Sequence, residues 1–278
     1  LDFDKAASVV AYAKKKRLTL ASAPIMLLYP AYEYVRSLLR SGAIGQVSSA
    51  RVIVAHGGPD RWERATDSGI YFKKETASWC APLPDLAIYG LSYLTHLLGP
   101  ARRVSAMATL AIKERRIDKV TAPGFKPYTI KPTIKDNVTV MLEYANGFLA
   151  TIHANFTAAG HLPDRFEFYG SEGTLTLPYK ASHVKIQSLI PPHNKPEGLH
   201  DLDLTGKNGG PQFSGVNWGP IVAQHLVKAA ELGARPLIGA DFTLHIVEVI
   251  QKAMTSARTG STEKITTSFK RDAKWGID

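Results

Sequence analysis

Only one cysteine, Cys80, occurs in 278 residues. That rules out a disulfide framework within the chain and any multi-cysteine zinc site, and no His, Asp and Glu set has metal-ligand spacing, so no metal is expected. No segment approaches the roughly 20 consecutive apolar residues of a membrane-spanning helix, and no membrane partner is expected. No G-x-S-x-G elbow and no Ser-His-Asp set mark a hydrolase. No G-x-G-x-x-G occurs either, so the sequence carries no dinucleotide fingerprint of its own. Internal repeats and low-complexity tracts are also lacking.

What is present is an ordinary globular composition, 45% hydrophobic and 21% charged, enough for one large core or two modest ones. The net charge of +10 would point to a polyanion only if it were concentrated. The basic residues are mostly dispersed. The one concentration, from Lys113 through Arg115, Arg116, Lys119, Lys126 and Lys131 to Lys135, sits among Pro and Gly and reads as a loop or an extension. It lacks the interleaved aromatics of a single-strand platform, and no nucleic-acid partner is expected. The lone thiol fits a reducing compartment, and a cytoplasmic location is the expectation.

Hydrophobic periodicity sets out the elements. Ala6, Val9, Val10 and Ala13 recur at helical spacing, with Asp2 or Asp4 as N-cap and Lys14, Lys15, Lys16 and Arg17 at the end where the helix dipole favours cations. Leu18 to Ala23 then reads as a short buried strand. A helix feeding one isolated strand predicts the last αβ unit of a parallel sheet whose other strands are not in this sequence. Pro30 to Arg40 reads as a helix, Val47 to Ala55 as a strand, 57–84 as irregular, Pro84 to Leu98 as a helix, and Val104 to Leu110 as a strand. Val138 to Tyr144 and Phe148 to Phe156 alternate on either side of Asn146-Gly147, a hairpin signature in which both turn positions take positive φ. Arg165 to Tyr169 and Thr174 to Leu177 form a second hairpin, and Ser182 to Ile190 a further strand. Ile190 to Asn217 reads as a long loop. Pro220 begins a helix ending near Gly233, and Asp241 caps the last one. The expected class is α+β: a mostly antiparallel open sheet with helices on one face, preceded by a helix and strand, residues 1–24, that belong to another unit.

Candidate chemistry lies on the helix from Pro84. Asp85, Tyr89, Ser92 and His96 form a polar stripe opposite Ala87, Leu91, Leu94 and Leu98. Asp85 and Tyr89 are one turn apart at the positive end of the helix, where a carboxylate beside a phenol makes a proton relay to a substrate hydroxyl or carbonyl. The plainer alternative is that Asp85 caps the helix and Tyr89 packs its ring. Thr151, His153 and Asn155 share one strand face, which lines either a substrate cleft or a subunit contact. His56, Arg61 and Trp62 lie in a loop that either closes over a sugar, with Trp62 as a stacking surface, or carries Trp62 as a plain core or lid residue. His245, Glu248 and Lys252 read as a solvated face or a subunit contact.

Four segments in this order resemble the Gfo/Idh/MocA family of NAD(P)-dependent oxidoreductases. Leu38-Leu39-Arg40-Ser41-Gly42-Ala43-Ile44-Gly45-Gln46-Val47 is similar to its helix–"G-x-I-G-x-V"–strand junction. Asp85-Leu86-Ala87-Ile88-Tyr89 resembles its "D-x-G-x-H/Y" helix. Leu142 to Gly147 with Gly170 to Leu175 resembles its "F-x-N-G … G-x-x-G-x-L" hairpins, and His245 to Gly260 its last helix. The resemblance implies that residues 1–24 are the last helix and strand of a Rossmann-type domain and 25–278 the substrate-binding and oligomerisation domain. It implies NAD or NADP held mainly by an N-terminal domain not contained here, and hydride transfer at a hydroxyl-bearing carbon of a sugar or polyol-like substrate. It implies Asp85 and Tyr89 as the proton-transfer residues, Tyr89 standing at a His position. It also implies that this chain alone is inactive. Tyr29, Trp62, Trp79 and His153 are the expected substrate-binding residues, and the sheet face the expected contact of a homodimer or homotetramer. Two other readings within the same fold are a non-catalytic sensor or scaffold and an NAD-dependent glycoside hydrolase. The run Ser78-Trp79-Cys80-Ala81-Pro82-Leu83-Pro84 is bulkier and stiffer than the family's small Gly-rich run.

Overall fold

A computed structural model describes residues 2–22, 28, 30–63, 68–73, 80–158, 165–178, 183–189, 198–203 and 218–270. The expected Tyr29 and Trp79 lie outside the described residues. The centre of the molecule is a nine-stranded sheet. Its strands are β1 (Val47–Ala55), β2 (Ala101–Thr109), β5 (Asn137–Tyr144), β6 (Leu149–Asn155), β7 (Arg165–Gly170), β8 (Gly173–Pro178), β9 (His183–Ser188), β10 (Gly198–Asp203) and β11 (Glu263–Lys264), in the order β10-β9-β8-β7-β1-β6-β5-β2-β11. Among the described pairs in this sheet only β1 and β6 are parallel, with Val52 opposite Ile152; all others are antiparallel. Two short strands, β3 (Arg115–Ile117) and β4 (Tyr128–Ile130), pair separately.

Strand alternation explains why the helices lie on one face. Val52, Val138, Val140, Leu142, Ile152, Ala154, Phe166 and Phe168 are all buried. Their alternates Thr139, Met141 and Leu149 face out. The buried face is covered by α2 (Pro30–Arg40), α3 (Ile88–Leu98) and α5 (Ala240–Thr259). Tyr32 of α2 and Tyr93 of α3 meet Phe166 edge-on at 5.5 and 5.4 Å, and the Tyr93 hydroxyl donates to the Tyr32 carbonyl at 2.9 Å. Two further helices are α1 (Phe3–Lys15) and α4 (Trp218–Glu231).

Several expectations change. The Leu18–Ala23 strand is an isolated bridge between Ala21 and Gly239 among the described residues, because no neighbouring strand lies beside it. Asp2 does cap α1, accepting from the Lys5 amide at 3.1 Å. The cap of α5 is Gly239, while Asp241 pairs with Lys14 at 2.6 Å. In the Asn-Gly hairpin only Gly147 has positive φ, 82°. The turn is therefore the longer kind with a left-handed glycine at its end, not a two-residue type I′ turn. The long loop from Ile190 contains β10, and its remainder lies outside the described residues.

The last helix departs most from expectation. His245 and Glu248 are buried rather than solvated. The Ala101 amide donates to His245 Nε2 at 3.0 Å, so Nδ1 carries the proton and donates to the Thr267 carbonyl at 3.1 Å. Glu248 accepts from the amides and hydroxyls of both Thr266 and Thr267 at 2.5–2.9 Å. The helix grips the segment after β11 and the start of β2 with these two side chains. Lys252 pairs with Glu263 of β11 at 3.2 Å.

Candidate active site

The helix from Pro84 begins as a π turn, Leu83–Ala87, and continues as α3. Pro82 and Pro84 remove two amides from its first turn, and such wide turns concentrate at functional sites. Asp85 sits in this turn. Neither the turn nor α3 has a side-chain cap, so the capping alternative for Asp85 is set aside. Among the described residues its carboxylate has no hydrogen-bond partner. Burial pushes the Asp85 carboxyl above its ordinary value. Tyr89, one turn on, is partly buried and packs against the core.

The polar stripe does not continue along a solvated face. Every residue from Gly90 to Leu98 is buried, Ser92 and His96 included. A helix apolar on nearly all sides is an interior helix, and this one packs on β1 and β6 with α5 beside it on the same sheet face. Gly90 makes the close packing possible: a Cβ there would stand 2.7 Å from Val52 Cγ1. Leu98, at the other end of α3, lines a cleft with Val47 and Phe148. The helix therefore runs along β1 with its π turn, and Asp85, at the carboxyl ends of the parallel pair β1 and β6.

The same ends carry the aromatic loop. His56 follows β1 and stacks on Phe156, which follows β6, with ring centroids 5.0 Å apart. His56 Nδ1 accepts from the Gly58 amide at 3.0 Å. Trp62 leaves the 3-10 turn Pro59–Arg61, meets Tyr71 edge-on at 5.5 Å, and is 39% exposed. His153 lies elsewhere. It is on the open face of β6, bonded to Thr139 at 2.9 Å and Asn155 at 3.0 Å. Burial, then the nearby Arg51, hold its pKa below the usual histidine value. The sheet separates it from Asp85 and Tyr89 within one subunit.

Residues that the sequence did not single out stand behind this end. Arg115, placed by the sequence in an open basic extension, is buried between Asp60 at 2.8 Å and Asp136 at 2.9 Å. The signal was a period of two: Arg115 and Ile117 are buried while Arg116 between them is exposed. Among the described residues no group of three His, Cys, Asp or Glu is placed to hold a metal ion, and no helix is long and apolar enough to cross a membrane. Acidic residues in the first turns of α1, α2, α5 and the π turn, namely Asp4, Glu33, Asp241 and Asp85, make these four helix starts poor seats for a dinucleotide phosphate.

A family model described as the GFO/IDH/MocA C-terminal domain matches residues 32–176, over half of the chain. An uncharacterized oxidoreductase of Synechocystis sp. is 31% identical over 148 residues, 53% of this chain and 38% of the relative. The chain thus spans well under half the length of that curated relative. Among solved structures, an NAD binding oxidoreductase from Klebsiella pneumoniae aligns with TM-score 0.76 and 18% identity, over 96% of this chain and 71% of the other. Levoglucosan dehydrogenase in complex with NADH and levoglucosan aligns with TM-score 0.73 and 18% identity, over 95% and 71%. These two likenesses establish the fold.

Proposed function

This chain belongs to the GFO/IDH/MocA family, and on that premise we propose that the protein is an oxidoreductase passing hydride between NAD(P) and a hydroxyl-bearing carbon of a sugar or polyol-like substrate. The observation that carries the reading is Asp85: an uncapping, desolvated aspartate in a π turn, one turn before Tyr89 and at the carboxyl ends of two parallel strands. The nicotinamide, when bound, supplies the hydride chemistry. The residues of this chain handle the proton. The phenol of Tyr89 contacts the substrate oxygen, and Asp85, with its affinity for a proton raised by burial, takes up or returns the proton that Tyr89 exchanges. The substrate sits at this end of the sheet, with Trp62 as a candidate wall.

We assign residues 1–24 to a dinucleotide-binding domain and 25–278 to the substrate domain; the dinucleotide is held outside this chain, which is inactive by itself. What supports the assignment is α1. It buries Val10 and Ala13 yet leaves Val9, Tyr12 and, just beyond it, Leu18 more than half exposed, a pattern suited to covering by further structure. The open sheet face is the proposed contact of a homodimer or homotetramer, and His153 belongs to that face. Met107 is 81% exposed there, beside Met141 and Leu149 on neighbouring strands.

The test is turnover of levoglucosan and other polyols by the protein carrying both domains. Y89F and D85N are each expected to lower kcat by about 10²–10⁴-fold. Full activity in Y89F removes the proton-transfer assignment, whereas no turnover by the parent protein favours the sensor reading.

A further inference from the structure

Trp62 is an exposed ring on an unusually fixed loop. Arg115 Nη1 donates to Asp60 Oδ1 at 2.8 Å and to the Gly57 carbonyl at 3.1 Å; Nη2 donates to Asp136 Oδ2 at 2.9 Å and to the Phe156 carbonyl at 2.7 Å. The guanidinium lies 4.4 Å over the Phe72 ring. Asp136 also accepts from the amides of Ala111 and Ile112 at 2.7 and 3.1 Å. The Arg115 side chain is 1% exposed. One cation thus ties together the segment after β1, the turn at Phe72, the approach to β5 and the exit from β6.

The loop allows little freedom around that cation. Gly58 has φ 111°, and a Cβ on it would stand 2.3 Å from Asp60 Oδ1 and 2.6 Å from Arg115 Nη1, so only glycine fits there. Asp60 in the turn is anchored, and the Trp62 amide closes the turn on the Pro59 carbonyl at 3.0 Å. Tyr71 and His56 flank the indole at 5.5 and 5.9 Å. Burying three ions is a poor route to stability compared with an apolar core, and such networks are better understood as fixing geometry. Here the geometry fixed is that of an indole. The network also reaches the candidate active site, since Lys135, next to Asp136, bridges Cys80 just before the π turn.

We propose that Trp62 is a stacking platform for a ring-form substrate and that Arg115 is the positioning residue that presets it. The proposal rests on the reading above, that this end of the sheet handles a hydroxylated substrate. A cyclic polyol or pyranose presents a face of C–H bonds that packs on an indole, while its hydroxyls remain in the ring plane for Tyr89. An open-chain polyol must give up rotational freedom to present the same face. The site therefore prefers rings.

The test is the KM-against-kcat split in the protein carrying both domains, with methyl β-D-glucopyranoside and myo-inositol as cyclic probes and sorbitol and mannitol as open-chain controls. W62A is expected to raise KM for the cyclic substrate about tenfold with kcat within about twofold, and W62F to recover most of the loss. R115K keeps the charge but cannot bridge both aspartates as a planar fork; it is expected to raise KM severalfold with kcat unchanged. If Y89F abolishes turnover while W62A leaves KM unchanged, the platform is overturned and the proton-transfer reading stands. A preference for sorbitol over every cyclic probe also overturns it, and failure to turn over any of the four overturns both. Should R115K fail to fold, W62A at the exposed ring still decides the platform.

Discussion

Two buried polar networks in this molecule use the same devices and hold different things. Arg115 with Asp60 and Asp136 is ionic, and it fixes loops at the carboxyl ends of β1 and β6. His245 with Glu248 clasps the segment after β11 to α5 and to the start of β2. Both are almost fully buried, and both bind backbone groups from distant segments. The first surrounds an exposed indole and lies beside an aspartate without a partner. The second borders an open cleft beside Ala101, Thr266 and Thr267, but no aromatic side chain lines that cleft. Buried polar groups therefore do not mark function by themselves. What separates the two networks is whether something exposed, or something unsatisfied, depends on them.

Removing the cation should separate them most sharply. R115M leaves two aspartates buried without their partner and is expected to destabilise the fold by about 3–5 kcal/mol, read as a lower melting temperature. The clasp should respond to acid. Burial holds the His245 pKa down to about 4 despite the neighbouring Glu248, against about 6.5 for an unfolded histidine. Because the folded value is the lower one, the stability is fully present above about pH 6.5 and is lost as the pH falls toward 4, on the order of 3 kcal/mol in all. Burial pushes the Glu248 carboxyl up, but the hydrogen bonds from Thr266 and Thr267 outweigh it and hold the group below its usual range, so its loss on acidification has the same sign. H245Q should flatten the slope of stability between pH 6.5 and 4; an unchanged slope would clear the histidine.

Smaller effects are expected from the helix that joins the two regions. G90A forces a methyl against Val52 and is expected to cost about 1–3 kcal/mol, with V52A restoring much of it. D85N removes a carboxylate that burial disfavours. Its stability at neutral pH is expected to stay within about 0.5 kcal/mol of the parent or to rise, while activity falls. A marked loss of stability in D85N would mean that the aspartate is structural after all.

Much of the architecture was legible in the sequence. Helix α2 and strand β1 match their expected bounds, since a proline start, a glycine stop and strict alternation are local signals. Strand β10 was hidden because Pro, Gly and Asn on both sides dominate its window. The π turn at Leu83–Ala87 was not visible: residue spacing alone does not distinguish it from an α turn when prolines interrupt the pattern. The buried roles of His245 and Glu248 were misread, because a polar residue looks solvated until its distant partners are known; Ser92 and His96 were misread because α3 is enclosed along its whole length. Arg115 is the sharpest instance. Its two aspartates lie 55 and 21 residues away, and only its alternation with Arg116 hinted at an inward position.

The position of β1 has a consequence for how the chain is made. It stands near the middle of the sheet, yet Val52 pairs with Ile152 on one side and Phe166 on the other. A ribosome adding about 5–20 residues per second needs roughly 5–20 s to supply those partners. Through that interval the apolar face of β1 waits without its strands, covered at best by α2, made before it, and α3, made after it. The strand that organises the finished sheet is thus the one most exposed to chaperones, and to other nascent chains, while the protein is being born.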